Sequence, residues 1–282
     1  MKNIKLIVKE DIELVDYLVK YTDFSKSKIK SYLKFKKIII NNSKKIKLPY
    51  ILEINDEIVI DLMVDKGVDF EILYEDKEIL VINKDAGLLT VATEKEKDET
   101  LYHQVRDYAL NNRFKVFIVH RLDKETSGIV LFAKTEKLKK QFQDNWNDLV
   151  ITRGYAAIVE GIVADAGRID NLLVEEKNTM VHSSRTGKRA ITNYEPVKSY
   201  GEYTLLDVEI ETGRKNQIRV HFSELGHPII GDKKYGSNQN PIKRLGLHAY
   251  ILEVKHPANG KILSFKSPLP IKFEKLIKIK RY

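Results

Sequence analysis

HRLDKETSGIVLFAKT, residues 120–135, sets the terms for the rest of the chain. Arg121 and Asp123 stand two apart in a polar corner, Thr126-Ser127-Gly128 follows, and an apolar run begins at Ile129. The run Gly128–Lys134 is rich in β-branched and large apolar residues and ends at Lys134-Thr135, so it reads as a buried strand entered from a tight turn. An acid beside a cation at the entry to a buried strand fits a chemical site. Taken alone, it equally fits a turn in which Asp123 caps backbone N–H groups and Arg121 is surface.

Working outward, strand-like runs dominate from Phe70 onward: EILVIN, KVFIV, GIVLFAK, GYAAIVEG, YTLLDVEIE and LHAYILEV. Two stretches have helical spacing, each opened by a Thr suited to capping. The first runs from Thr100 to Asn111 with Leu101, Val105 and Tyr108 inward, and the second from Thr135 to Asn147 with Leu138, Phe142 and Trp146 inward. Strands do not alternate regularly with helices, which argues against a doubly wound parallel sheet. The pattern predicts an α+β fold with a mixed, mainly antiparallel central sheet and flanking helices.

The chain of 282 residues has room for a second, smaller unit. Its net charge is +9, and ten Lys against the single acid Asp23 between Lys20 and Lys47 carry the whole excess. Clustering of this kind is the footprint of a phosphate-binding surface, although a solvated helix face would also be lysine-rich. In the same region Leu14, Val15, Leu18 and Val19 suggest one helix, and a second is expected to start near Ser25 or Ser27. Ile29, Tyr32 and Leu33 would then face inward, with Lys26, Lys28 and Lys30 outward as candidate RNA contacts. KIIINN and ILEINDEIVI follow as short strands, giving a small N-terminal α/β unit.

Several chemistries are excluded. The chain has no Cys, hence no thiolate nucleophile and no Cys-ligated zinc. It has no phosphate-binding glycine loop, no HExxH and no GxSxG, and its seven His are scattered without metal-ligand spacing, so no metal is expected. No uncharged apolar run approaches a membrane span, and the N-terminus is cut by Lys9, Glu10 and Asp11, unlike a signal peptide. A cytoplasmic protein is expected. A carboxylate remains the natural catalytic group, and Asp123 is the candidate.

Three segments in order, LYEDKEILVINKDAGLLT, VHRLDKETSGIVLFAKT and ETGRKNQIRVHFSELGHPIIGDKKYG, closely resemble the RluA family of RNA pseudouridine synthases. The likeness runs from about Phe70 to the C-terminus and includes RGYAAIVEG and RLGLHAYILEVKHP. FSKSKIKSYLK, KKIIINN and EINDEIVI resemble an S4-type RNA-binding domain, with Lys where that domain often has Arg. The resemblance implies an S4-like domain over residues 1–63, a linker at about 64–69 and a catalytic domain over 70–282. It implies isomerisation of uridine in RNA without a cofactor, by a monomer. Ribosomal RNA is favoured over transfer RNA by the S4-like segment.

The resemblance also assigns roles. Asp123 matches the catalytic aspartate, acting by attack on the ribose anomeric carbon, by abstraction of the 2′ proton or by addition to the uracil ring. All three routes need an ionised carboxylate, and a paired cation lowers a carboxylate pKa by roughly 1–3 units. Arg219 matches the residue that supplies the pairing. Tyr155 matches the tyrosine that stacks on the target base and assists proton removal from carbon 5. Arg121 fills the gap left when the uridine flips out, a step costing a few kcal/mol. Val181–Tyr194 suggests a basic hairpin tipped by Thr186-Gly187, whose Arg185 and Lys188 are candidate backbone contacts. Lys84 and Thr126–Gly128 read as scaffold. Asp85 stands where Pro is usual in the family, and Asn216 where His is frequent. Two rivals remain at this point: a non-catalytic RNA-binding or ribosome-assembly protein on the same fold, and a carboxylate hydrolase of nucleosides or sugars.

Overall fold

A computed structural model describes residues 3–24, 26, 29, 32–33, 38–41, 43, 46–61, 70–93, 100–176 and 180–278. The chain divides into two compact units, 1–69 and 70–282.

In the first unit, strand Asn3–Ile7 pairs antiparallel with Glu57–Asp61, which pairs antiparallel with Ile38–Ile40. Helix Leu14–Tyr21 covers this sheet, capped by Glu13, whose carboxylate accepts from the N–H groups of Val15 and Asp16. Its buried stripe is Leu14, Val15, Tyr17 and Leu18. Val19, expected inside, is exposed instead. Positions 14, 17 and 18 follow the i, i+3, i+4 spacing of one helix face, and 19 falls off it. Ile29 is fully buried in the same core, with Tyr32 and Leu33 packed against it. The start of the expected second helix, and with it Lys28 and Lys30, lies outside the described residues.

The second unit is built on an eleven-stranded sheet with short helices beside it, the mixed and mainly antiparallel α+β architecture expected. Helix Leu101–Asn111 starts at Thr100, whose hydroxyl accepts from the His103 N–H. Helix Glu136–Asp144 starts at Thr135 in the same way and stops three residues short of the expected end, where Asn145 leaves helical geometry at φ −122°. Trp146–Leu149 forms a separate turn of helix.

Nearly every pairing in this sheet is antiparallel. The exception is Ser127–Ala133 against Leu247–Lys255, which run parallel over Ser127↔His248 and Gly128↔Ala249. This seam divides the sheet into two halves, each contiguous in sequence. One comprises Glu71–Glu75, Ile79–Lys84, Phe117–Ile118 and Ser127–Ala133; the other comprises the strands from Val150 to Lys266. Gly128 is required at the seam. Its φ is +117°, and a Cβ there would come within 2.1 Å of the Ala249 carbonyl oxygen. Its role is this close approach inside a strand.

Val181–Tyr194 is not a simple hairpin. Val181–Ser184 and Lys188–Tyr200 both pair antiparallel with Gly167–Glu175, one on either side of it, so Arg185–Gly187 passes from one side of that strand to the other at Leu172–Leu173.

Candidate active site

The site lies where the two half-sheets meet. Ala249 pairs with Gly128 on one side and with Tyr155 on the other, so the start of Ser127–Ala133 and Tyr155 stand level across three strands. That separation is about 10 Å. A cleft of 510 Å³ opens here, lined by Arg121, Asp123, Arg153, Tyr155, Arg214 and Arg219 among others.

Asp123 sits on a turn closed by the Thr126 N–H donating to its carbonyl, 3.2 Å. The residues on either side are fixed from the Lys84–Thr90 segment. The Thr90 hydroxyl donates to the Leu122 carbonyl at 2.8 Å and accepts from the Leu122 N–H at 3.2 Å. The Lys124 carbonyl accepts from the Gly87 N–H at 2.8 Å and from Lys84 Nζ at 3.1 Å. Lys84 is fully buried, and its ammonium also donates to the Asp85 and Leu88 carbonyls. Burial pulls its pKa down to about 7, yet three acceptors use all three protons of the charged form. The scaffold role read for Lys84 thus has a specific content: it ties two loops together through their carbonyls. Asp123 is left with its side chain 27% exposed to the cleft.

The facing wall is held differently. Helix Gln217–Glu224 begins at Asn216, a left-handed residue with φ 54°. Gln217 is buried and accepts from the Thr212 hydroxyl and the Arg214 N–H while donating to the Ile191 carbonyl, which fixes the Glu211–Asn216 loop. One turn on, Arg219 points to the cleft. Its nearest carboxylate is Asp232, not Asp123: Nε and Nη2 reach the two Asp232 oxygens at 2.6 and 2.8 Å, whereas Nη1 stands 3.5 Å from Asp123 Oδ2. Nη1 also donates to Asn216 Oδ1, and the Tyr235 ring lies under the guanidinium at 5.0 Å. Asn216 donates in turn to the Tyr235 hydroxyl. Burial opposes the Arg219 charge, but the bonds and charge of Asp232, with Asp123 behind them, hold its pKa above the ordinary value.

Tyr155 is half-buried between these walls. Burial pushes its phenol up to about 12, partly relieved by Arg153 and reinforced by Asp123, so it is neutral near pH 7. His120, behind the turn, accepts from the Leu131 N–H through Nε2 and faces the Trp146 ring. Burial, then Arg153, hold its pKa down to about 4, which keeps the ring neutral. Arg121 lines the cleft with its side chain exposed.

Asp123, Tyr155, Arg219 and Arg121 are therefore brought to one cleft. Arg185 and Lys188 are exposed and do not line it. Lys26 belongs to the other unit, where its ammonium pairs with Asp16 at 2.8 Å. Sequence reading missed Asp232 and Arg153. Asp232 lay inside a quoted motif, and its signal was an acid with no stated partner thirteen residues beyond Arg219. Among the described residues, no group of three or more His, Asp or Glu is placed to hold a metal ion, and no helix is long and apolar enough to cross a membrane.

The chain that builds this cleft has relatives both in sequence and among solved structures. Residues 78–224, just over half of the chain, match the sequence profile of the RNA pseudouridylate synthase family. The protein belongs to that family: it is an RNA pseudouridine synthase, an isomerase acting on RNA. Ribosomal large subunit pseudouridine synthase D of Haemophilus ducreyi is 31% identical over 282 residues, covering 91% of this chain and 87% of that protein. The protein of the same name from Pseudomonas aeruginosa is 36% identical over 239 residues, covering 77% of this chain and 73% of its own. Among solved structures, human RNA pseudouridylate synthase domain containing 4 superposes with a TM-score of 0.62 at 25% identity, covering 74% of this chain and 94% of that one.

Proposed function

We propose that the protein isomerises specific uridines of ribosomal RNA, with Asp123 as the catalytic group. The observation that carries the assignment is the placement of Asp123. Its turn is held through the main chain of both flanking residues, and its carboxylate opens to the cleft and faces a guanidinium whose charge is anchored on another acid. The names of the relatives, which specify the large ribosomal subunit, support ribosomal RNA as the substrate.

In the reaction the bond from ribose C1′ to uracil N1 breaks, the ring turns, a bond from C1′ to C5 forms, and the C5 proton leaves to solvent while N1 gains one. No electron is gained or lost overall. Asp123 opens the sequence, by attack at C1′, by removal of the 2′ proton or by addition to the ring, and each route uses its ionised form. Arg219 sets the orientation and charge of that carboxylate from 3.5 Å. Tyr155, neutral near pH 7, offers its ring to the flipped base and its hydroxyl near C5. Arg121, exposed at the cleft, takes the space of the extruded base. The first unit acts as an S4-like docking domain through Lys26, Lys28 and Lys30, and Arg185 and Lys188 add backbone contacts on the catalytic unit. The ion pair of Lys26 with Asp16 is exposed, of little net stability, and readily exchanged for a phosphate. The protein works as a cytoplasmic monomer without a cofactor.

The test is a strain lacking the gene, complemented with wild type or with Asp123→Asn, followed by chemical mapping of pseudouridine in ribosomal and transfer RNA. A ribosomal site restored by wild type and absent with Asp123→Asn is expected, with turnover down by at least about 10³-fold. Restoration by Asp123→Asn would remove Asp123 from the chemistry. A restored site confined to transfer RNA would move the substrate.

A further inference from the structure

The cleft lining holds four arginines, Arg121, Arg153, Arg214 and Arg219, against two acids, Asp123 and Glu211. Arg219 is fully engaged by Asp232, Asn216 and Asp123. Glu211 is turned away from the cleft arginines: its carboxylate accepts from Arg168 and from Asn193 Nδ2. Arg153 and Arg214 are left without an ion pair among the described residues, although Glu209 lies near enough to Arg153 to act on its charge. Arg153 donates once, to the Glu211 carbonyl at 2.5 Å, and Arg214 once through Nε, to the Arg189 carbonyl at 2.9 Å.

Arg153 is the more telling of the two. It is half-buried, two residues before Tyr155 on the same strand, and lines the same cleft. Trp146 covers one face of its guanidinium at 5.6 Å, which leaves the N–H edge for binding. The backbone makes room for it, since a Cβ at Gly213 would come within 2.9 Å of Arg153 Nη1. Burial lowers its pKa, Tyr155 and Glu209 partly oppose that, and the charge of Arg214 lowers it further, so two cations without an ion pair face one space and repel. A half-buried guanidinium held without an ion pair is costly until an anion arrives. The anions that an RNA substrate carries are its phosphates.

We propose that Arg153 and Arg214 together form a phosphate subsite of the cleft, taking one phosphodiester of the RNA backbone beside the target uridine. The inference rests on the ribosomal-RNA reading above. Arg153, on the strand of Tyr155, would grip the phosphate by two N–H groups, and Arg214 would close from the loop that precedes the Arg219 helix. Binding the backbone there fixes the register in which the uridine enters.

The experiment uses the full chain and a transcript of large-subunit ribosomal RNA labelled with tritium at uridine C5, because bond formation at C5 expels that hydrogen. Tritium release is followed as a function of KCl for wild type, Arg153→Gln, Arg153→Lys, Arg214→Gln and the double Gln variant. We expect kcat/KM to fall about tenfold in each Gln variant at low salt. The slope of its logarithm against the logarithm of salt should flatten by about 0.7–0.9, the value for one phosphate. The double variant should flatten it no further, and Arg153→Lys, which keeps the charge and controls for folding, should retain the wild-type slope. An unchanged slope in Arg153→Gln overturns the proposal, as does a doubled flattening in the double variant, which would mean two separate phosphates. If wild type releases no tritium from this RNA, the functional reading fails instead. Salt-dependent equilibrium binding of the same transcript by the same variants then decides the subsite on the same criteria.

Discussion

The two walls of the cleft are built on opposite principles. The Asp123 turn is held through its backbone: hydroxyl, amide and ammonium groups of the Lys84–Thr90 segment bind the main chain of Leu122 and Lys124. None of these bonds uses the Asp123 carboxylate. The Arg219 wall is held through the functional side chain itself, gripped by Asp232, Asn216 and Tyr235. The difference fits the roles proposed for the two groups. A carboxylate that is to react needs free lone pairs, which positioning from the main chain leaves it. An orienting guanidinium has five donors and can spend most of them on being positioned.

Asp232→Asn is the strongest way to break this contrast. The Asp232 carboxylate is 1% exposed and Arg219 12%, and removing one charge of a buried pair costs about 3–5 kcal/mol. The melting temperature should drop sharply and kcat with it, as Arg219 turns to Asp123 for its counter-charge. A loss below about 1 kcal/mol would mean that the Arg219 wall does not depend on the pair. Lys84→Met attacks the other wall by orphaning three carbonyls, at about 1–3 kcal/mol for a buried group left unmade. Denaturant unfolding should show a loss of at least about 2 kcal/mol, and turnover should fall about tenfold or more as Asp123 moves. Wild-type kcat in Lys84→Met would show that the turn holds itself.

Acid tests both walls together. His120 beneath the Asp123 turn, His221 in the Arg219 helix and His248 at the seam are each held by burial at a pKa of about 4, below the ordinary value near 6.5. In that window the unfolded chain binds more protons than the folded one. Stability is therefore full above about pH 6.5 and falls as pH drops towards 4, by at most about 1.4 kcal/mol per pH unit for each histidine. Thermal melts between pH 7.5 and 4.5 should show the decline, and His221→Asn should reduce its slope. A flat profile would mean that these rings are not held neutral. The smallest effect expected on the catalytic unit is from deleting residues 1–63. Binding of ribosomal RNA should weaken and its salt dependence flatten, with kcat at saturating RNA nearly unchanged; equal binding at every salt concentration would remove the docking role.

The local parts of this architecture were legible in the sequence. HRLDKETSG announced its turn and strand, and Thr100 and Thr135 marked both helix starts, because capping and strand entry depend on neighbours a few residues away. What depended on distant partners was not legible. Nothing near Arg219 marks Asp232 as its primary acid, and nothing near Val19 says that Tyr17 takes the inner position. The hairpin expected over Val181–Tyr194 failed for a related reason. Gly167–Glu175, the strand that separates its two arms, has its apolar residues Ile169, Leu172, Leu173 and Val174 broken by Asp170 and Asn171, out of the regular alternation that makes strands readable.

The parallel seam has a consequence for how the site comes into being. Residues 70–133 and 150–266 make their strand pairings largely within themselves, and the two groups join through Ser127↔His248 and Gly128↔Ala249, more than 120 positions apart along the chain. Contacts of such separation are slow to form, since a long loop must close before they return any free energy. Asp123 arrives with the first group, and Tyr155, Arg153 and Arg219 arrive with the second. Neither group holds the whole of the proposed site, so that site exists only once this long-range contact is made. Activity thereby becomes a certificate of finished folding.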